Sequence, residues 1–413
     1  MSDPDPGQGV FDWMMTGPAP KGVGLAVSGG GDSMAMLHML GPRLKAAGIP
    51  VAVATVDHGL RPEAAEEAAF VARTCAGLDL PHDTLRWTGW EGRGNLAAAA
   101  RDARYRLLAG WARDRGVDTV ALAHTMDDQA ETVLMRLARG SGVDGLSGMA
   151  RERRAEGIRW LRPLLHIHRA DLRDWMTQRG HFWVEDPSNL DPAYDRVRVR
   201  QALAVLADLG ITADALASTA QRLSLARDAL RRVAAEAAER LAETRAGVVL
   251  LDIARMRGLP DETQLRLIAD GLRWVSSSPY RPRMTALQPA HADAMAGRST
   301  TLHGCILIGT KDRILIAREP RAVTGLETPT TALWDNRWRL DGPHAPGLTI
   351  RAIGAEGLRQ CPDWRSIGLP HKAMLATPAV WRGPDLIAAP LAGNPQGWTA
   401  RLVADFATFL KSD

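Results

Sequence analysis

The first half of the chain alternates short apolar runs with longer stretches in which apolar residues recur at helical spacing. The apolar runs predict strands over residues 23–27, 51–56, 82–87 and 119–123. The amphipathic stretches predict helices over residues 33–47, 63–76, 95–115 and 125–138, the first of them kinked or ended at Gly41-Pro42. Strands that alternate with helices form parallel sheets, whose ligands bind beyond the carboxyl ends of the strands. Since Ser28, Asp57 and His124 each follow a strand, we expect them to meet at one edge of one sheet.

The pattern changes after about residue 187, where helical spacing dominates. It predicts a long helix over residues 213–244, a strand over 248–251, a helix over 259–274 and a β-hairpin within 306–316. Frequent proline and glycine between residues 318 and 347 indicate a linker to a smaller domain. The predicted fold class is therefore α/β. Its expected parts are a flexible N-terminus at 1–20, a parallel-sheet domain at 21–206, a helical or α+β domain at 207–325 and a small α+β C-terminal domain at 326–413.

The composition is that of a globular protein, with 46% hydrophobic and 24% charged residues in a chain of 413. The three cysteines are isolated, which excludes a disulfide scaffold and a four-cysteine zinc site. We find neither the layout of a signal peptide nor an apolar run of about 18 residues. The expectation is a soluble, cytoplasmic protein that does not cross a membrane.

Arginine dominates the basic residues, since only five of the 51 Lys and Arg residues are lysine. Arginine suits phosphates and base edges, although a GC-rich coding sequence would produce the same bias. The net charge of +4 is small, but seven arginines lie between residues 151 and 173. This local excess predicts a nucleic-acid contact surface there.

The segment Ser28-Gly29-Gly30-Gly31-Asp32-Ser33 stands between a predicted strand and a predicted helix. Its glycines allow a tight turn that aims backbone N–H groups inward, and the helix start adds a partial positive charge. The segment lacks the lysine of a Walker A loop and the spacing of a dinucleotide-binding GxGxxG loop. Because a carboxylate repels phosphate unless a cation intervenes, we interpret Asp32 as a magnesium-associated residue or one that orients the loop.

SGGGDS resembles the pyrophosphatase loop of the N-type ATP pyrophosphatases, which cleave ATP to AMP and pyrophosphate and adenylate a substrate oxygen. The resemblance implies a Rossmann-like catalytic domain over residues 21–206. Further segments resemble one member family, tRNA(Ile)-lysidine synthase, and occur in that family's order. They are VDHGLR at 56–61, ARDARY at 100–105, HTMDDQAET at 124–132, RLARGSG at 136–142, RPLL at 162–165, DPSN at 186–189 and RVRVR at 196–200.

The residues themselves support distinct roles for two of these segments. Asp127 and Glu131 share a helix face at i, i+4, and carboxylates clustered there can hold Mg²⁺ or bind an ammonium group. The alternative is a solvated helix start, where acidic residues are favoured in any case. Arg196 and Arg200 also share a face and could clamp phosphates. Two positions depart from the family: Thr125 stands where many relatives carry a second histidine, and Val197 stands where asparagine is usual.

The resemblance implies a reaction in which ATP adenylates the wobble cytidine of tRNA(Ile) with a CAU anticodon, after which free L-lysine displaces AMP to form lysidine, changing decoding from AUG to AUA. The implied cofactors are ATP and Mg²⁺, the latter at Asp32. The implied catalytic residues are Asp32, Asp127, Asp128, Glu131 and Arg200, with Asp127, Asp128 and Glu131 binding lysine. The implied ATP-binding residues are Ser28, Gly29, Gly30, Gly31, Asp32, Ser33, Asp57, His58, Arg104 and His124. The implied tRNA-binding residues are Arg61, Arg139, Arg162, Arg196 and Arg198, and the domains after residue 206 are expected to hold the tRNA.

Two alternatives stay open beside this hypothesis. One is a tRNA 2-thiolase, which would need paired cysteines or an iron–sulfur cluster, whereas Cys75 stands alone in the catalytic half. The other is a non-catalytic tRNA-binding protein with a decayed loop, although SGGGDS and HTMDDQAET are both intact. Which carboxylate would deprotonate lysine, and whether the chain forms a homodimer, are left open.

Overall fold

The computed structural model describes residues 5–59, 63–90, 95–185 and 195–412. The chain divides into two compact units, Met1–Arg227 and Asp228–Asp413. The domain limits expected near residues 206 and 325 remain predictions.

The first unit is built on a six-stranded sheet. Its strands are β1 (Val23–Ala26), β2 (Val51–Asp57), β3 (His82–Arg86), β4 (Thr119–Leu122), β5 (Glu152–Ala155) and β6 (Ile158–Leu161). Their order is β3-β2-β1-β4-β6-β5, and all pairings are parallel except that of β5 with β6. The helices are α1 (Pro6–Met15), α2 (Gly31–Ala46), α3 (Ala64–Gly77), α4 (Leu96–Asp114), α5 (Met126–Ala138), α6 (Val143–Leu146), α7 (Arg169–Gln178), α8 (Asp195–Ala207) and α9 (Ala213–Leu241), the last of which runs on into the second unit. The predicted α/β class and its parallel strands are confirmed.

Two predictions in this unit are wrong: an end of the helix at Gly41-Pro42, as distinct from a kink there, and a flexible N-terminus at residues 6–15. Helix α2 runs through Gly41-Pro42, because its residues are buried along both sides and Gly41 lets Leu80 approach so closely that a Cβ would lie 2.6 Å from it. Proline removes one hydrogen bond from a helix, and this packing compensates for that loss. Residues 6–15, expected within a flexible N-terminus, form α1, because Val10 and Met14 are wholly buried in the core beside α2.

The second unit contains antiparallel sheets. A five-stranded sheet has the order β7-β8-β11-β10-β9. Its strands are β7 (Ala242–Arg245), β8 (Val248–Asp252), β9 (Ser299–Leu302), β10 (Cys305–Gly309) and β11 (Arg313–Arg318), with helices α10 (Ile253–Met256), α11 (Asp261–Ser276) and α12 (Met284–Met295). The predicted hairpin at 306–316 is confirmed as the β10–β11 pair.

The remaining elements follow residue 318. They are β12 (Thr328–Pro329), β13 (Trp338–Asp341), β14 (Thr349–Ala352), α13 (Gly354–Arg359), α14 (His371–Met374), β15 (Pro378–Arg382), β16 (Asp385–Ala388), β17 (Thr399–Leu402) and α15 (Phe406–Ser412). The linker predicted at 318–347 is wrong, because Trp334, Trp338 and Leu340 are buried in a core of their own. Proline and glycine here mark turns between packed strands.

Candidate active site

The glycine-rich segment after β1 forms a tight turn that opens onto the first turn of α2. Gly29 has a φ of +94°, which glycine adopts without strain, and Gly30 is the N-cap residue of the helix. The Ser33 hydroxyl accepts a hydrogen bond from the Ser28 backbone N–H (3.1 Å) and donates one to the Gly30 carbonyl (2.9 Å). Such a turn at a helix N-terminus is a ready site for phosphate.

A second segment, distant in sequence, holds this loop from one side. The Val184 backbone N–H donates a hydrogen bond to the Gly29 carbonyl (2.9 Å). A Cβ at Gly31 would lie 3.5 Å from the Trp183 indole, so the ring packs against the start of α2. The conformation of the loop therefore depends on residues that follow α7.

Four carboxylates from two helices converge on one arginine. Asp32 lies in the first turn of α2, and Asp127, Asp128 and Glu131 lie in the first two turns of α5. The Arg169 Nε donates to Asp32 (2.9 Å), its Nη2 donates to Asp128 (3.2 Å), and its backbone N–H donates to Asp127 (2.7 Å). Its Nη1 lies 3.7 Å from Glu131. The structure thus brings the glycine-rich loop and the acidic segment together, as the sequence predicts.

Two oxygens of this carboxylate cluster are left without a hydrogen-bond partner within the described part of the chain. Arg200 of α8 contacts the cluster too, with its Nε donating to Glu131 at 3.0 Å, and the charges of Arg173 and Arg196 act on Asp32 and Asp128. Asp32 Oδ1 and Glu131 Oε2 are buried and have no hydrogen-bond partner among the described residues. Because buried polar atoms are rarely left unpaired, these oxygens are positions that a bound cation or donor would satisfy.

Burial and neighbouring charges shift the pKa values of the carboxyl groups in this cluster in different directions. Burial raises the pKa of Asp32, and burial followed by the nearby Asp128 charge raises the pKa of Glu131. Burial opposes ionisation of Asp128 too, but Arg169 and the Thr125 backbone N–H outweigh it, so the pKa of Asp128 is lowered. Asp128 is therefore the most strongly acidic of these three groups.

Asp128 has a structural task as well. The Thr125 side chain accepts from the Asp128 backbone N–H, while the Asp128 Oδ2 accepts from the Thr125 backbone N–H (2.9 Å) and hydroxyl (3.0 Å). This reciprocal capping box begins α5. It leaves Asp128 Oδ1 for Arg169, and it explains why threonine serves at this position.

Two histidines follow strands at the same sheet edge. Burial, and then the Arg162 charge, lowers the pKa of His124 to about 3, while burial and then Arg104 lower the pKa of His58. The Nδ1 atom of each ring is buried without a hydrogen-bond partner among the described residues. Both rings are neutral near pH 7 and can hydrogen-bond to a ligand without adding charge.

The arginines predicted to contact tRNA occupy different environments. Arg139 and Arg198 are exposed and pair with Asp195. Arg196 is exposed, and its charge acts on Asp128, so it lies on the site side of α8 together with Arg200. Arg61 and the segment 186–189 lie outside the described residues.

Arg162 is placed differently from what a tRNA contact requires. It is 4% exposed, and its guanidinium donates to the Ala150 carbonyl (2.7 Å) and to the Tyr105 hydroxyl (3.4 Å). It therefore supports the sheet edge from inside. Arg159, likewise buried, pairs with Glu152 at 2.8 Å across the β5–β6 hairpin.

The seven arginines between residues 151 and 173 therefore do not share one exposed surface, and a nucleic-acid contact at the exposed ones stays a prediction. Arg159 and Arg162 turn inward, Arg169 joins the carboxylates, and Arg151 stacks on Trp13 with its guanidinium carbon 3.8 Å from the ring centroid. The exposed members are Arg153, Arg154 and Arg173. The number of arginines in this segment does not indicate which side chains are buried, because the β5–β6 hairpin reverses the direction of the chain within it.

Arg169 is the site residue that the sequence interpretation missed. A signal was present, since Arg169 is the first residue of α7, where the helix dipole disfavours a cation. An arginine at such a position needs a compensating anion. The nearby acidic segment supplies it.

The thiols give no support to sulfur chemistry. Cys75, Cys305 and Cys361 are buried and unpaired with each other. Burial raises the pKa of Cys75 and of Cys305 to about 12, and it raises the pKa of Cys361 as well. All three remain protonated near neutral pH, so they are poor nucleophiles and metal ligands.

The described residues contain no group of three or more His, Cys, Asp or Glu side chains arranged to hold a metal ion. This does not conflict with magnesium, which commonly takes one or two carboxylates and completes its shell with substrate phosphates and water. The buried, unpaired Asp32 Oδ1 beside the glycine-rich loop fits that role.

No helix in the described parts of the chain is both long and apolar enough to cross a membrane.

The chain is similar to a known protein family, to named relatives and to solved structures. The profile of the PP-loop domain family matches residues 11–206. A tRNA(Ile)-lysidine synthase from Ruegeria pomeroyi is 50% identical over 95% of this chain and 94% of its own length, and one from a Methylobacterium species is 41% identical over 75% and 92%. Among solved structures, a U34-tRNA thiolase from Methanococcus maripaludis is similar at 17% identity with a TM-score of 0.45, covering 53% of this chain and 78% of its own.

Proposed function

The chain belongs to the tRNA(Ile)-lysidine synthase family, and from that premise we propose that it attaches free L-lysine to C2 of the wobble cytidine of tRNA(Ile) bearing a CAU anticodon. It is an ATP-dependent tRNA-modifying enzyme. The proposed reaction consumes ATP, releases AMP and pyrophosphate, and forms a carbon–nitrogen bond. The observation that carries the proposal is the carboxylate cluster beside the glycine-rich loop, in which Asp32 Oδ1 and Glu131 Oε2 are buried without a hydrogen-bond partner among the described residues.

In the first step, the cytidine C2 oxygen attacks the α-phosphate of ATP, and pyrophosphate leaves. The glycine-rich loop binds the phosphates through its backbone N–H groups, in the manner of a helix N-terminus. His58, His124 and Arg104 line the same edge and are assigned to the nucleotide. The protein contributes positioning and charge stabilisation here, and little covalent chemistry.

Magnesium fits at Asp32, whose Oδ1 is buried beside the loop without a partner among the described residues. The ion would neutralise charge on the phosphates. Arg169 holds the other oxygen of Asp32, which fixes the direction of the carboxylate.

In the second step, the ε-amine of lysine attacks C2 and AMP leaves with the electrons of the C2–O bond. The lysine ammonium is assigned to Asp127, which accepts the Arg169 backbone N–H, and to Glu131, whose Oε2 has no hydrogen-bond partner among the described residues. Glu131 is the best candidate to take the proton that the amine must lose, because its Oε2 is unpaired among the described residues and its raised pKa makes it a stronger base than an ordinary carboxylate. Arg200 holds the other oxygen of Glu131 in place.

The test is transfer of labelled lysine to an isoleucine tRNA transcript with a CAU anticodon. We expect incorporation that depends on ATP and yields one AMP per lysine. The matched control is the same transcript with uridine in place of the wobble cytidine, which should accept no lysine. Transfer of a different nucleophile to the CAU transcript, with none of lysine, would contradict the proposal while leaving the ATP site intact.

A further inference from the structure

Two tryptophans lie on a loop next to the proposed nucleotide site. Trp87 follows β3, the edge strand of the sheet, and its backbone N–H donates to the Asp57 carbonyl at 2.8 Å. Asp57 in turn accepts from the Gly59 backbone N–H at 2.8 Å. These bonds hold the Trp87 loop against the segment that carries His58.

The rings form a continuous aromatic group with His58. The His58 ring meets Trp87 edge to face at a centroid distance of 5.7 Å and an angle of 86°. Trp87 and Trp90 are 6.1 Å apart at an angle of 55°. Both indoles are half-buried, so each presents part of its surface to an approaching ligand.

Core packing among the described residues does not account for these two side chains. Other partly exposed aromatic residues of the unit pack against its cores: Phe11, Trp13, Phe70, Trp183 and Tyr105. Trp87 and Trp90 belong to none of the hydrophobic clusters formed by the described residues. Half-buried indoles that lie beside a site and join no hydrophobic core of the described residues are typical of a binding surface.

The surroundings favour a ligand that has an aromatic face, because the His58, Trp87 and Trp90 rings lie side by side at the carboxyl end of β2. An RNA nucleotide offers a base to stack. Aromatic side chains bind unpaired bases in this way, while paired bases remain inaccessible in a helix.

We propose that Trp87 and Trp90 form a stacking site for an unpaired nucleobase of the RNA substrate, adjacent to the nucleotide that reacts. The inference rests on the proposed function, since an anticodon loop is the part of a tRNA that presents unpaired bases. It adds a base-binding site that lies outside the carboxylate cluster and the glycine-rich loop.

The experiment uses the full chain and an anticodon stem-loop RNA with 2-aminopurine in place of the anticodon adenine. Trp90→Leu and Trp87→Leu keep apolar bulk but remove the indole, whereas Trp90→Phe and Trp87→Phe keep an aromatic face. We expect quenching of 2-aminopurine by the wild type, and a loss of RNA affinity of about fivefold to 150-fold in the Leu variants, the range for one stacked base. The Phe variants should retain most of the RNA affinity, and the Kd for ATP should stay unchanged in the two Trp90 variants, whereas Trp87 also contacts His58.

Leu variants that bind the RNA as tightly as the wild type would overturn the inference. So would a loss of ATP affinity with unchanged RNA affinity in Trp90→Leu, because the indole would then serve the adenine of ATP. Wild-type protein that binds the RNA through the indoles but transfers no lysine would contradict the proposed reaction and leave the stacking site standing. Circular dichroism of each variant shows whether the fold is intact.

Discussion

Two arginine–carboxylate groups, one in each unit, differ in how completely they are satisfied. In the second unit, Arg318 donates from Nε and Nη2 to the two oxygens of Asp335, both at 2.9 Å, and its Nη1 donates to the Gly304 carbonyl. In the first unit, Arg169 serves several carboxylates at once and leaves Asp32 Oδ1 unpaired among the described residues. A satisfied pair stabilises a fold, whereas an unsatisfied group at a sheet edge is a binding site.

The largest effect is expected from removing the two arginines in turn. Arg169→Ala leaves buried carboxylates without their shared cation, and Arg318→Ala does the same to Asp335, so each should lower the free energy of unfolding by about 3–5 kcal/mol. Urea unfolding measures this loss. The two variants should differ in the ATP affinity of the folded protein. This affinity should fall for Arg169→Ala and stay near the wild-type value for Arg318→Ala. Equal ATP affinity in both would show that Arg169 is only a structural residue.

Asp32→Asn and Asp335→Asn test the same difference between the Arg169 group and the Arg318 group. We expect Asp32→Asn to slow AMP formation by about 10²–10³-fold, the range for loss of one preorganised charge interaction. Because burial raises the pKa of Asp32, its neutral isostere should be no less stable than the wild type at neutral pH. Asp335→Asn should instead be less stable and keep its rate. Thermal unfolding and a pyrophosphate-release assay distinguish them, and a destabilised, fully active Asp32→Asn would refute the assignment.

Glu131→Gln tests the proposed base through its pH profile. In the wild type, the rate should fall as pH drops through the raised pKa of Glu131, since the protonated carboxyl cannot accept the amine proton. A folded-state pKa above the unfolded value also means that stability is lost as pH rises through it, so Glu131→Gln should be at least as stable at neutral pH. We expect a lower kcat, a lysine KM that rises more than the ATP KM, and loss of the acidic limb. An unchanged lysine KM would remove Glu131 from the amine site.

The smallest effect concerns Val197, a position at which the family resemblance implies asparagine. Its side chain is 7% exposed, so Val197→Asn buries an amide and should lower the free energy of unfolding by about 1–3 kcal/mol. Lysine transfer at saturating tRNA should stay close to the wild-type rate. The matched control, Val199→Asn, is half-buried and should lose less stability. A gain in stability for Val197→Asn would indicate a hydrogen-bond partner for the amide.

Local sequence was informative wherever one short segment carries the whole physical cause. The strand–glycine–helix order around Ser28 and Ser33 predicts a phosphate-binding turn, and the alternation of apolar runs predicts the parallel strands that carry it. The helix over residues 259–274 is recovered within two residues at each end, because its periodicity is strong. Such features depend on spacing within one element, which the sequence contains.

Features that depend on a partner elsewhere in the chain were decided by the tertiary structure alone. Arg162 and Arg169 belong to one arginine-rich run, yet one supports the sheet edge from inside and the other binds the carboxylates. The α1 helix is stable because α2 offers a surface to bury Val10 and Met14. The sequence by itself determined which chemical groups are available and which strand ends carry them. Only the folded chain decided which groups pair, because pairing depends on distance and burial between segments that are remote in sequence.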